Sequence, residues 1–122
     1  MTPHQMVCHL NDGFKGVIGE KEVESKANIF TTTVVKWVAL YLPIPWLKGF
    51  KTVPEFDQEI GGTPPKEFEK DLKELHLFID RLTREKKDFT WKKHPIFGEM
   101  SETEWLRWAY LHIDHHLRQF GE

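Results

Sequence analysis

The sequence predicts an all-α fold of four helices, with a long ordered loop between the second helix and the third. Apolar residues recur at helical spacing in four segments, and stretches rich in Pro and Gly separate those segments. Two of the segments also begin with a residue pattern typical of a helix N-terminus. The length of 122 residues suits one core, so we expect a single helical domain over residues 1–122.

Composition and charge argue against several classes of partner. The formal net charge is -2 and no segment is strongly basic, so we do not expect nucleic-acid binding. No apolar run reaches the ~18 residues of a membrane span, so we do not expect membrane association. The lone Cys8 cannot form an internal disulfide, which is typical of a reducing compartment and predicts a cytoplasmic protein.

Capping boxes mark the starts of the first and last helices. Thr2 is a candidate N-cap, Pro3 fits the first helical position, and Gln5 stands where the capping-box partner is expected. Ser101 and Glu104 repeat this pattern before the last apolar segment. Both helices are therefore predicted from local interactions alone.

The two middle helices are predicted from the helical spacing of their apolar residues. Residues 28–42 are rich in β-branched side chains, but their length and apolar periodicity favour a helix ended by Pro43. Residues 42–65 contain five prolines and form the predicted loop. Thr63 is expected to cap the third helix and Pro64 to enter it. Its apolar stripe consists of Phe68, Leu72, Leu75, Ile79 and Leu82.

Three histidines within five residues of the last helix are the main candidates for function. With Trp105 at zero on a helical wheel, His112 and His116 lie within roughly 60° of it, on the apolar face. His115 lies about 80° away, at the rim of that face. At a spacing of four residues, two imidazoles on one helix face can share a metal ion.

The histidine pair alone leaves three interpretations open. Neutral imidazole is a good ligand for zinc, nickel, iron or copper, which favours a metal site. A single inward histidine is more often a core residue that donates to a carbonyl. Two neighbouring buried imidazoles need more partners than one, and a shared cation, a buried polar network or a nucleotide pocket would each satisfy them.

His9 is the candidate third ligand. On the wheel of the first helix it lies beside the apolar stripe, about 60° from Met6, so it can point inward. A metal site with His112 and His116 requires the first and last helices to pack side by side.

The chain also resembles a known group of proteins. The stretches "QMVCHL" and "HIDHHLRQFG" resemble the DinB/YfiT-like superfamily of metal-binding helical bundles. The longer stretch "HPIFGEMSETEWLRWAYLHIDHHLRQFG" is similar to the C-terminal signature of an uncharacterised DinB-related branch. With "LPIPWLKGFKTVPEFD", the resemblance covers nearly the whole chain.

The resemblance implies a four-helix bundle in which three histidines hold a divalent ion, with zinc and nickel preferred. His9, His112 and His116 match the family's ligands, and Gln119 matches its glutamine three residues after the last of them. His115 is left as a non-ligand at the rim or as a hydrogen-bonding partner of a ligand.

Relatives in the superfamily include transferases and isomerases that use low-molecular-weight thiols such as bacillithiol or mycothiol. The resemblance therefore implies a metal-dependent thiol transferase or a hydrolase acting on a small-molecule substrate. The alternative is a non-catalytic binding or stress-response module whose histidine site is vestigial.

Members of the superfamily usually begin with an additional helix before the segment that starts here at Met1. Residues 28–42 would replace that helix, a partner subunit would supply its contacts, or the functional gene product is longer. Because an incomplete bundle exposes an apolar patch, we expect a homodimer.

The residues that would carry catalysis are not fixed by the sequence. A bound metal would lower the pKa of water or of an incoming thiol. Glu99 and His94, before the last helix, either approach the site or only cap and pack. Cys8 is a poor nucleophile because it lies away from the predicted apolar face. Core positions are predicted for Phe14, Trp105 and Trp108.

Overall fold

The computed structural model describes residues 2–42 and 61–120. These described residues form four α-helices, α1 (Pro3–Ile18), α2 (Lys36–Tyr41), α3 (Phe68–Thr83) and α4 (Glu102–Arg118), and a π-helical segment, Thr31–Val35, directly before α2. Over these described ranges no residue belongs to a β-strand, which confirms the all-α prediction. None of the described helices is both long and apolar enough to cross a membrane.

The described residues form two compact units that alternate along the chain. Unit 1 contains residues 2–23 and 61–91, and unit 2 contains residues 24–42 and 92–120. The single domain predicted over residues 1–122 stays a prediction.

In unit 1, the predicted capping box starts α1. Thr2 Oγ1 accepts a hydrogen bond from the Gln5 amide at 3.1 Å, and Gln5 Oε1 accepts one from the Thr2 amide at 2.8 Å. The helix ends at Gly19, whose positive φ of 88° suits a residue without a Cβ, and whose amide donates to the Lys15 carbonyl. Local chemistry therefore defines both ends of α1.

Helix α3 packs on α1 through polar and aromatic contacts, two of which show how the helices are aligned. Asn11 Nδ2 donates to the Asp71 carbonyl oxygen at 2.9 Å. One helical turn further along α1, the Phe14 ring lies 6.2 Å from the Phe78 ring, centroid to centroid. The first contact fixes the start of α3 beside the middle of α1.

The predicted start of α3 was wrong. The helix begins at Phe68 with Glu67 as its N-cap residue, rather than at Thr63 and Pro64. Thr63 instead donates from its amide and its hydroxyl to the Asp12 carboxylate, at 2.8 and 2.7 Å. Asp12 is fully buried, and a buried carboxylate needs hydrogen-bond donors. The amide and hydroxyl of Thr63 supply them, so Thr63 does not cap α3. The buried residues of α3 are Leu75, Phe78 and Leu82, while Phe68 is 41% exposed.

In unit 2, Asn28 starts the predicted second helix. Its Oδ1 accepts hydrogen bonds from the amides of Phe30 and Thr31, each at 2.9 Å. Hydroxyl groups in the π-helical segment donate back to backbone carbonyls, as Thr32 does to Asn28, and such bonds compete with regular α-helical pairing. The helix prediction is confirmed, whereas Pro43 and most of the predicted loop lie outside the described residues.

The apolar residues that predict this helix do not form its buried side. Of the five that set its spacing, Phe30, Val34, Trp37 and Tyr41 are exposed and Val38 is half-buried, whereas Leu40 is fully buried. Exposed apolar side chains on this scale are compatible with a protein interface. The homodimer stays a prediction.

A short turn before α4 holds His94 against the last helix. The amide of His94 donates to the Gly98 carbonyl at 2.7 Å, and the Gly98 amide donates back at 2.9 Å. Gly98 has a φ of 72°, and a Cβ there would lie 2.9 Å from Thr32 Cγ2. The turn therefore requires glycine at this position.

Helix α4 starts at the predicted Ser101 cap. Ser101 Oγ accepts from the Glu104 amide at 3.2 Å, and Glu104 Oε1 accepts from the Ser101 amide at 3.1 Å. The other carboxylate oxygen of Glu104 lies 3.4 Å from Lys36 Nζ and accepts from the Tyr41 hydroxyl at 3.1 Å. One residue therefore both caps α4 and ties it to α2.

Candidate metal centre

His112 and His116 lie one turn apart on the buried face of α4. Their side chains belong to residues only 9% and 8% exposed. The ring centroids are 4.8 Å apart, and the ring planes cross at 61°. His115, on the adjoining side of the helix, is half-buried. The two inward histidines and the one at the rim are thus placed as the helical wheel predicts.

Gln119 contacts the ring of His116 at the end of α4. His116 Nδ1 lies 3.0 Å from Gln119 Oε1. An amide oxygen can only accept a hydrogen bond, so Nδ1 carries the proton in this contact. In a neutral imidazole the other nitrogen, Nε2, then holds a lone pair. This is the tautomer in which Nε2 can bind a metal.

His115 contacts the same glutamine from the rim. Gln119 Nε2 lies 3.5 Å from His115 Nε2, at the outer limit of a hydrogen bond. An amide nitrogen donates, so His115 accepts at Nε2 in this arrangement. His115 and His116 therefore contact the same amide side chain. Its oxygen accepts from His116, and its nitrogen donates to His115.

Aromatic side chains enclose the pair on the N-terminal side of α4. The Trp108 ring lies 4.8 Å from the His112 ring, and Trp105 lies 5.5 Å from Trp108 in an edge-to-face contact. Both tryptophans are buried, which confirms their predicted core positions. The side of the pair next to Trp108 is consequently apolar.

His94 is a core residue of unit 2. Its ring stacks on Phe97 at 4.4 Å, and its Nδ1 accepts from the amides of Ile96 and Phe97 at 3.1 and 3.0 Å. Burial lowers the pKa of His94 to about 3, so the ring is neutral at physiological pH. The sequence left open whether His94 approaches the metal site or only caps and packs, and the structure shows that it packs. Glu99, the other candidate in this turn, is exposed.

His9 lies in α1 and therefore in unit 1, whereas the histidine pair belongs to unit 2. The residue is 2% exposed, so the prediction that it points away from solvent is confirmed. Phe14, a predicted core residue of the same helix, is fully buried. The place of His9 in a shared ligand set stays a prediction.

A family model described as "Protein of unknown function (DUF1569)" matches residues 4–122. The chain belongs to the DUF1569 family. Neither a curated protein nor a solved structure matches it. The match covers all the histidines of the candidate site in this DUF1569 chain, together with Gln119.

The prediction that Cys8 of the DUF1569 chain lies away from the buried side of α1 was wrong. Cys8 is 2% exposed, and its Sγ lies 3.6 Å from Asp71 Oδ2 on α3. The wheel assumes one buried face, but every residue from 6 through 14 is buried. Burial and then the charge of Asp71 raise the pKa of the Cys8 thiol to about 12. Cys8 is thus a poor nucleophile for a reason other than the predicted one.

Sequence reasoning also missed a cluster in unit 1 of the DUF1569 chain. His4 Nε2 lies 2.5 Å from the Asp71 oxygen that Cys8 contacts. The three side chains offer one nitrogen, one sulfur and one oxygen, all within 4.8 Å of one another. The spacing of four residues between His4 and Cys8 in "HQMVC" was the available signal, and the partner carboxylate is far away in sequence.

The chemistry of the donor set in unit 2 of this DUF1569 chain fits a divalent ion. Two buried imidazoles stand at i, i+4 spacing, and the tautomer of His116 leaves its Nε2 able to coordinate. A hydrogen bond to the non-coordinating nitrogen is the usual way in which proteins orient metal-binding histidines. His112 and His116 would supply two nitrogen ligands, and Gln119 would orient the second of them.

Proposed function

We propose that this DUF1569 chain is a DinB/YfiT-like metal-dependent enzyme. In this proposal the fold is a four-helix bundle, and His9, His112 and His116 hold one divalent ion, with zinc and nickel preferred. The observation that carries the proposal is the buried histidine pair on α4 with Gln119 on Nδ1 of its second member. The motif resemblance supplies the third ligand.

Burial supports the metal assignment. Each imidazole brings a donor and an acceptor into surroundings that are poor in water, where polar groups need partners. A cation shared by His112 and His116 would use one lone pair from each ring. The apolar wall at Trp108 would limit the access of water from that side of the pair.

Three histidines leave coordination positions open, which is typical of catalytic rather than structural metal sites. When bound, the ion would lower the pKa of a water molecule or of an incoming thiol and so supply a nucleophile near neutral pH. The three histidines would hold the ion, and Gln119 would orient the ring of His116 and fix its tautomer. We therefore propose a thiol transferase, in which the sulfur of a low-molecular-weight thiol displaces a leaving group from a small electrophile and the thiol proton is released to solvent, or a hydrolase.

The test is a metal-dependent reaction of the untagged protein. Zinc- or nickel-loaded protein is mixed with bacillithiol or mycothiol and the fluorogenic electrophile monochlorobimane, and separately with an activated ester. We expect conversion above the uncatalysed rate in one of the two assays, its loss on chelation and its return when the metal is restored.

The variant His116→Ala should abolish the reaction, and the neighbouring His115→Ala is the matched control that should retain it. Equal activity in both variants would contradict the proposed site. Protein that binds metal through His112 and His116 but turns over neither class of substrate would contradict the enzyme. That result would favour the non-catalytic binding or stress-response module.

A further inference from the structure

We propose that His4, Cys8 and Asp71 form a second divalent-metal site, selective for zinc, within unit 1 of the protein. The site uses none of the histidines of the proposed catalytic centre, so it goes beyond the proposed function. Nitrogen, sulfur and oxygen donors from three different side chains meet there, with all three ligand atoms within 4.8 Å of one another.

Helix geometry brings the three donors together. His4 and Cys8 are four residues apart in the first turns of α1, on one side of the helix. Asp71 lies in the first turn of α3, where the bond from Asn11 Nδ2 to its carbonyl oxygen holds the two helices in register. Backbone elements that are fixed in this way make a preorganised site rather than a chance encounter of surface groups.

The distances suit exchange of hydrogen bonds for metal bonds. Asp71 Oδ2 lies 2.5 Å from His4 Nε2 and 3.6 Å from Cys8 Sγ. Ligand atoms at about 2.0–2.3 Å from a tetrahedral zinc ion stand roughly 3.3–3.8 Å apart, so only the first of these pairs must open. The side chains of His4 and Asp71 are 24% and 22% exposed and have room to make this adjustment.

Burial places the three donors at different depths. Cys8 is 2% exposed and forms the floor of the site, while the other two donors reach towards solvent. An ion at this position therefore has protein ligands on one side and water on the other, which leaves the fourth tetrahedral position to a solvent molecule. The charge of the ion would offset that of Asp71, and a coordinated thiol is deprotonated.

The donor set selects the metal. A thiolate with an imidazole and a carboxylate favours zinc over the hard cations magnesium and calcium, which prefer oxygen ligands alone. The histidine site of unit 2 offers no sulfur, so the two proposed sites differ in spectroscopic signature.

Cobalt substitution of the full, untagged chain tests the site. Cys8 is the only cysteine of the sequence, so a thiolate-to-cobalt charge-transfer band in the near ultraviolet can arise only from Cys8. We expect this band in the wild-type protein on titration with Co²⁺, its loss when Zn²⁺ is added in competition, and no competition by Mg²⁺.

Variants assign the band to the cluster. Cys8→Ser, His4→Ala and Asp71→Asn should each lose it, with circular dichroism used to verify that the helices persist. The matched control is His76→Ala, which removes an exposed histidine from α3 and should leave the band unchanged. Because the band is measured first in the wild-type protein, a variant that unfolds does not remove the test.

The outcomes for the two sites are separable. A band that persists in a His112→Ala/His116→Ala double variant supports a site independent of the proposed catalytic centre, whatever that variant does to activity. A wild-type protein saturated with Co²⁺ that shows no thiolate band overturns the second site. A band lost in the double variant but retained in His4→Ala also overturns it, because Cys8 would then serve a different ligand set.

Discussion

The Nδ1 atom of His116 lies 3.0 Å from the side-chain oxygen of Gln119, one turn further along the chain. Because an amide oxygen accepts, this contact corresponds to the tautomer with a proton on Nδ1 and a lone pair on Nε2. The relationship between these two residues is therefore the structural basis for the proposed metal centre.

Replacement of Gln119 should weaken metal binding without unfolding the protein. Gln119 is exposed, so its truncation removes little packing. In Gln119→Ala we expect the affinity for zinc to fall by about 10- to 100-fold, the usual effect of losing a hydrogen bond that orients a ligand. Competition with a chromophoric chelator, in a Cys8→Ser background that lacks the second proposed site, measures the affinity.

Two variants serve as controls for that measurement. Gln119→Glu keeps an acceptor for the His116 ring and should bind zinc better than Gln119→Ala. Arg118→Ala removes a neighbouring exposed side chain that pairs with Asp114 and should bind as the wild type does. Wild-type affinity in Gln119→Ala would show that the contact does not orient a ligand.

Burial of neutral His94 should make the folded state sensitive to acid. Its pKa is about 3 in the folded protein because of burial, against an ordinary value of 6.5. Between these values the unfolded chain binds a proton that the folded chain excludes, so the free energy of unfolding falls as the pH decreases. At pH 5 this contribution amounts to about 2 kcal/mol, and it is nearly absent at pH 7.

Urea unfolding of wild type and His94→Asn at pH 7 and pH 5 isolates this contribution. Asparagine keeps an acceptor near the position of Nδ1 but does not titrate. We expect the stability of the wild type to fall by about 2 kcal/mol more than that of the variant between the two pH values. Parallel losses in both proteins would mean that His94 is not the acid-sensitive group.

Gly98→Ala should destabilise the turn that carries His94. The φ of 72° is strained for alanine, and the new Cβ would lie 2.9 Å from Thr32 Cγ2. We expect a loss of about 1–3 kcal/mol in the free energy of unfolding, measured by urea denaturation. The variant Thr32→Ser removes Cγ2 while keeping the hydroxyl, so adding it to Gly98→Ala should recover part of the loss. An unchanged free energy of unfolding in Gly98→Ala would show that alanine is not strained at this position.

Local interactions are the part of this fold that the sequence predicts well. Both capping boxes, at Thr2 and at Ser101, depend on residues three positions apart, and both form as expected. The inward orientation of His112 and His116 is also local, because helical geometry fixes which side chains share a face. One helix therefore suffices to predict the histidine pair.

Contacts between distant segments account for the errors. Thr63 has the residue type of a cap, but Asp12, 51 residues earlier, binds its amide and hydroxyl. His4 and Asp71 are 67 residues apart, so no pattern within one helix indicates that they meet. A helical wheel likewise places Cys8 on a solvent side that α1 does not have, because a helix buried around its circumference has no such side.

The metal content of histidine variants tests the central claim most directly. Untagged proteins in a Cys8→Ser background, which removes the second proposed site, are loaded with zinc, dialysed and measured by elemental analysis. We predict that His9→Ala, His112→Ala and His116→Ala lose the bound ion, whereas His115→Ala retains as much zinc as the unsubstituted background. Equal zinc content in all four variants and the background would contradict the three-histidine centre.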